Sequence, residues 1–119
     1  MPLTNRRILV VEDEYMLAQD MLLELQDAGA VVIGPEPSVA RALMRINEET
    51  TIDAVVLDVN LGGEQAFPVA DALVAKRIPF VFASGYDDDA MTSRYPDAVN
   101  CAKPFSFRTL MRSLEAVLP

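Results

Sequence analysis

The stretch AVVLDVNLGG, residues 54 to 63, decides how the chain is read. Ala54 to Leu57 is apolar without alternation, the signature of a strand covered on both faces, and it ends on Asp58. A buried, unpaired carboxylate is strongly penalised or takes up a proton. Asp58 therefore needs solvent, a partner or a cation at the tip of its strand.

Working outward, Arg7 to Val11 (RILVV) is a second apolar run, followed by the acidic loop EDE. Tyr15 to Ala28 carries Leu17, Met21, Leu22 and Leu25 at helical spacing, and Gly29 ends the helix. Val31 to Gly34 reads as a short strand, and Ser38 as the N-cap of a helix with Val39, Leu43 and Ile46 on one face. Beyond Asp58, Gly62 and Gly63 make a loop. Phe67 to Lys76 is a predicted helix with Pro68 harmless in its first turn. Ile78 to Ala83 and Ala98 to Ala102 are the last strands. Ser106 to Leu118 is a closing helix with Phe107, Leu110, Leu114 and Val117 inward. Asp87 to Tyr95 has few residues to bury and predicts a short, mobile helix.

Strands alternating with helices imply right-handed crossovers and a parallel sheet covered on both sides. The expected fold is α/β: a doubly wound five-stranded parallel sheet of order 2-1-3-4-5, flavodoxin-like, with its site beyond the carboxyl ends of strands one and three. At 119 residues and 51% hydrophobic, the chain is expected to form a single domain over 1–119.

Composition excludes several chemistries. There is no histidine, so imidazole catalysis and the usual zinc ligand sets are unavailable, and the one cysteine, Cys101, has no internal disulfide partner. Cys101 is expected to be buried and inert. The net charge of -8, with ten basic residues scattered along the chain, disfavours nucleic acid and anionic membranes as partners. No apolar run approaches the ~20 residues of a membrane span, and the N-terminus does not read as a signal peptide. A soluble, cytoplasmic protein is expected.

The carboxyl ends of four strands carry Glu12 and Asp13, Asp58, Ser84, and Lys103. Parallel strands put these ends on one edge. Three carboxylates there repel one another unless a cation lies among them, and an all-oxygen set selects a hard ion such as Mg²⁺. Ser84 can donate a hydroxyl hydrogen bond and Lys103 can place a point charge on a phosphoryl oxygen. The set suits phosphoryl transfer to Asp58 as nucleophile, with Mg²⁺ and Lys103 neutralising the incoming charge. Singly, each residue has an ordinary explanation: helix-dipole complement for EDE, a turn residue for Asp58 or Ser84, a solvated charge for Lys103. Their joint placement at four strand ends favours the site.

The order VVEDE, LDVNL, FASGY and AKPF across nearly the whole chain resembles the receiver (CheY-like) domain of two-component response regulators. The resemblance implies Glu12 and Asp13 as the acidic pair around Mg²⁺, Asp58 as phosphoacceptor, the Asn60 carbonyl as a metal ligand, and Ser84 and Lys103 as phosphoryl contacts. Pro104 is expected to shape the turn after Lys103 through a cis peptide bond. The implied partners are a histidine kinase or histidine phosphotransfer protein and an unknown downstream protein, met at the face formed by the fourth helix, fifth strand and fifth helix.

Two departures stand out. Many receivers carry Tyr or Phe three residues before the lysine, where this chain has Asn100; the aromatic switch cannot run through that residue, for which the ordinary reading is a polar, solvent-facing side chain. Gly62 replaces a frequent proline and, with Gly63, is expected to loosen the loop. PFVFASGYD together with the missing aromatic is similar to single-domain alphaproteobacterial receivers with a Phe-Ala-Thr-Gly-Tyr motif, associated with general stress signalling. On that likeness Tyr86 and Asp87 to Tyr95 are the expected moving part. The alternatives are a phosphate sink, or a pseudo-receiver that binds a partner regardless of phosphate. A flavodoxin-like nucleotide enzyme is disfavoured, because the first loop is EDE rather than a Gly-rich or hydroxyl cradle.

Overall fold

The computed structural model describes residues 3–84, 93–95 and 98–119. The described elements run β1 (Arg7–Val11), α1 (Tyr15–Asp27), β2 (Val31–Glu36), α2 (Val39–Glu48), β3 (Ala54–Asp58), β4 (Asn60–Leu61), β5 (Glu64–Gln65), α3 (Phe67–Lys76), β6 (Phe80–Ser84), β7 (Val99–Ala102) and α4 (Phe107–Val117). The main sheet has the order β2-β1-β3-β6-β7 with every neighbouring pair parallel. Leaving aside the small β4-β5 hairpin, that is the expected 2-1-3-4-5. Tyr86 and most of the helix expected at Asp87 to Tyr95, including Asp87 to Asp89, lie outside the described residues; of that helix only Ser93 to Tyr95 are described.

Successive side chains on a strand point to opposite faces, and here both faces are roofed. Leu9, Val11, Val55, Leu57 and Phe82 pack against Ala42 and Ile46 of α2 and Val69 and Leu73 of α3. On the other side Ile8, Val10, Val56, Val81 and Cys101 pack against Met21 and Leu25 of α1 and Leu110 and Leu114 of α4. The absence of alternation in RILVV and AVVL thus reports a two-sided core. Each fully buried Leu or Phe contributes about 1.5–3 kcal/mol.

The helix starts follow capping chemistry. Ser38 Oγ accepts from the Arg41 N–H at 3.2 Å, and Ser106 Oγ from the Thr109 N–H at 3.1 Å. Pro68 sits in the first turn of α3, where no backbone donor is needed.

Strand edges shift from the sequence reading for identifiable reasons. β2 continues past Gly34 to Glu36, through Pro35, which an edge strand tolerates. Gly34 has φ +89°, and a Cβ there would lie 2.9 Å from the Glu36 nitrogen and 3.0 Å from the Val10 oxygen. Beyond it the Glu36 carbonyl accepts the Glu12 N–H at 3.0 Å, carrying the ladder to the acidic loop. β6 begins at Phe80 rather than Ile78, because the Ile78 N–H closes α3 onto the Leu73 carbonyl at 2.9 Å. The Gly34–Pro35 and Lys103–Pro104 peptides are cis, the second as expected.

Candidate functional site

Register alone brings the strand ends together. Val11 pairs with Leu57, Asp58 with Ala83, and Ser84 with Ala102, so the residues that follow share one edge. Glu12 and Asp58 are buried there, with 2% and 6% of their surfaces exposed, while Asp13 is exposed. Glu12, Asp13 and Asp58 each offer an oxygen, and these atoms lie within 4.8 Å of one another.

One ammonium serves the two buried carboxylates. Lys103 Nζ donates to Glu12 Oε1 at 3.0 Å and to Asp58 Oδ2 at 3.3 Å. Burial pushes the Asp58 carboxyl up to about 8; neighbouring Glu12 adds to the rise, and Lys103 and the Asn60 N–H only partly offset it. Desolvation pulls the Lys103 ammonium down, but Glu12 and Asp58 outweigh it and hold the group above its ordinary range. With Asp58 deprotonated, as a bound cation would require, three carboxylates against one lysine leave two negative charges. An all-oxygen set with that deficit fits a hard divalent cation.

The loop after Asp58 is tied down. The Asn60 N–H donates to Asp58 Oδ1 at 3.2 Å, and the Gly62 N–H to Asp13 Oδ2 at 2.8 Å. Asn60 Oδ1 accepts the Gly63 N–H at 3.0 Å. Gly62 and Gly63 both have positive φ, +60° and +91°, which a two-residue hairpin turn between β4 and β5 requires. The two glycines, read in the sequence as loosening, instead close a hairpin whose backbone orients Asp13.

Ser84 is buried, and its carbonyl accepts the Lys103 N–H at 2.7 Å, fixing β6 against the lysine. Its hydroxyl donates to Asn100 Oδ1 at 2.6 Å. Asn100 is exposed, as a polar residue on β7 should be, but it also reaches back to the site. Nothing in the spacing of the sequence signalled this pair or the Gly62 N–H. Both depend on side-by-side strands or on a hairpin that residue types alone do not place.

Elsewhere on the edge the outcomes are simpler. Tyr15 is exposed at the rim, and Phe105 is half-buried in an edge-to-face contact with Phe107. Cys101 is buried, and burial pushes its thiol up, the opposite of a reactive cysteine. No helix among the described residues is long and apolar enough to cross a membrane.

No protein-family model matches the chain. Among solved structures it is similar to SdrG from Sphingomonas melonis Fr1, 44% identical over 98% of each chain with a TM-score of 0.81. It is also similar to a response regulator receiver protein from Sinorhizobium medicae WSM419, 27% identical over 95% of this chain and 94% of that one, TM-score 0.84. Among curated proteins, the transcriptional regulatory protein PdtaR of Mycobacterium tuberculosis is 28% identical over 114 residues, which cover 92% of this chain and 55% of PdtaR. The chain spans about half the length of the curated relatives it matches.

Proposed function

This chain belongs to the response-regulator receiver family, and on that premise we propose that Asp58 accepts a phosphoryl group from a phosphohistidine donor and that the protein signals through changed contacts. The supporting observation is the shared ammonium: Lys103 bridges Glu12 and Asp58 at a buried strand end, beside a third carboxylate.

Attack by an Asp58 oxygen forms the O–P bond as the N–P bond of the donor imidazole breaks, and the imidazole leaves with the electron pair. Lys103 is placed to exchange its contact with Asp58 for one to a phosphoryl oxygen. Asn60 holds the other Asp58 oxygen through its N–H, so one oxygen is oriented and one is available. Mg²⁺, held by Glu12, Asp13, Asp58 and the Asn60 carbonyl, would supply charge neutralisation for the incoming group. Ser84 would donate a hydroxyl hydrogen bond to a phosphoryl oxygen. Water can discharge the resulting acyl phosphate, so the chain would promote only its own phosphorylation and dephosphorylation.

In this reading residues 1–119 act as one cytoplasmic receiver domain, the donor is a histidine kinase or histidine phosphotransfer protein, and the output is a protein contact. The PFVFASGYD sequence, similar to the Phe-Ala-Thr-Gly-Tyr motif of single-domain receivers, supports a role in general stress signalling.

Mass spectrometry after incubation with acetyl phosphate and Mg²⁺ tests the proposal. One added phosphate on the unmutated chain and none on Asp58→Asn is the expected result. Failure of the unmutated chain to be phosphorylated by either acetyl phosphate or candidate kinases would favour a pseudo-receiver, and equal labelling of Asp58→Asn would move the acceptor elsewhere.

A further inference from the structure

A serine hydroxyl has one proton to donate. In this structure Ser84 spends it on Asn100 Oδ1, at 2.6 Å. On the reading of Asp58 as phosphoacceptor, Ser84 would offer the same proton in a hydrogen bond to a phosphoryl oxygen, from the strand end next to that of Asp58. Both bonds cannot be made at once.

We propose that Asn100 is a positioning residue that holds the Ser84 hydroxyl in the resting protein and must release it when a phosphoryl group occupies Asp58. The proposal rests on the reading of Asp58 as phosphoacceptor. Asn100 belongs to β7, in register with Phe82, and is exposed while Ser84 is buried. Release of Ser84 therefore changes the state of a carboxamide at the surface of β7, connecting the buried site with the outside of the sheet by a single hydrogen bond. Polar exchange at Asn100 takes the place of a large side chain swinging inward. Lys103 is held to the same strand end through the Ser84 carbonyl, so reorienting the Ser84 side chain leaves the lysine's backbone anchor intact.

The bond competes with phosphoryl binding, so removing it should strengthen binding of a phosphoryl mimic by the worth of one neutral hydrogen bond, roughly 2- to 10-fold. Beryllofluoride with Mg²⁺ is the probe, titrated against the unmutated chain, Asn100→Ala, and Asn100→Leu, which keeps the bulk without the acceptor. Ser84→Ala and the double variant Ser84→Ala/Asn100→Ala complete the cycle. Both Asn100 variants should bind more tightly, and the gain should vanish when Ser84 is Ala. In beryllofluoride-free protein, NMR couplings at the Ser84 β-protons should report one side-chain rotamer in the unmutated chain and averaging in the Asn100 variants, a change that a merely structural role would not produce. Unchanged or weaker beryllofluoride binding in both Asn100 variants, or a gain that persists without the Ser84 hydroxyl, overturns the proposal. Absence of any beryllofluoride binding to the unmutated chain overturns the phosphoacceptor reading itself, and this inference with it.

Discussion

Replacing Asp58 with Asn should make the metal-free protein more stable, and the gain should depend on pH. The native carboxyl is raised from an ordinary 3.8 to about 8. A group raised in the folded state contributes stability that is complete below its unfolded value and disappears as pH climbs through its folded value. The unmutated protein should therefore lose stability between about pH 4 and pH 8 relative to Asp58→Asn, which has no proton to lose. Four pH units at 1.36 kcal/mol each set a ceiling of roughly 6 kcal/mol. Two carboxylates with oxygens no more than 4.8 Å apart repel by ~3.5 kcal/mol or more at an effective dielectric constant of 20, and water at the pocket mouth screens this, leaving about 2–4 kcal/mol. At ~4 °C per kcal/mol for a chain of this length, the melting temperatures should separate by roughly 8–16 °C at pH 8.5. Thermal melts in EDTA from pH 5 to pH 9 are the assay, with the two curves converging toward pH 5. Added Mg²⁺ should raise the unmutated protein and narrow the gap. Equal melting temperatures at pH 8.5, or a gap that does not change with pH, would refute the claim that Asp58 is desolvated and crowded by Glu12.

Lys103→Ala leaves Glu12 and Asp58 buried without their shared cation; at pH 8 in EDTA it should cost ~1–3 kcal/mol in denaturant titrations, and Mg²⁺ should restore more stability to it than to the unmutated chain. Arg45→Ala removes the closer of two guanidinium partners of buried Glu36, at 2.8 Å against 3.5 Å for Arg41, and should lower unfolding free energy by ~1–3 kcal/mol without altering Mg²⁺ binding. Gly34→Ala combines positive φ with two backbone contacts at or under 3.0 Å, and should cost more than ~2 kcal/mol, read as a lowered melting temperature.

The apolar strand runs and the helical periodicities were legible because burial on both faces of the sheet leaves a mark in residue type. So were Ser38 and Ser106 as helix starts, since a cap needs only a side-chain oxygen at the right place in the chain. The extent of β2 was not: Pro35 looks like a terminator, and only the neighbouring β1 shows that Glu36 still belongs to the ladder. The glycine pair was misjudged for a related reason. Positive φ permits either a slack loop or a tight turn, and the Asp13 side chain across the hairpin decides between them.

That Glu12, Asp13, Asp58, Ser84 and Lys103 share one edge follows from the order of residues along the chain, because parallel strands joined by right-handed crossovers all point their carboxyl ends the same way. How those groups divide their bonds depends on packing in three dimensions. That Lys103 bridges Glu12 and Asp58, and that Ser84 is engaged by Asn100, are matters of distances of about 3 Å between residues up to 91 positions apart. Hydrogen bonds fall off steeply beyond that range, so strand order can bring the partners to one edge while only packing selects which of them meet.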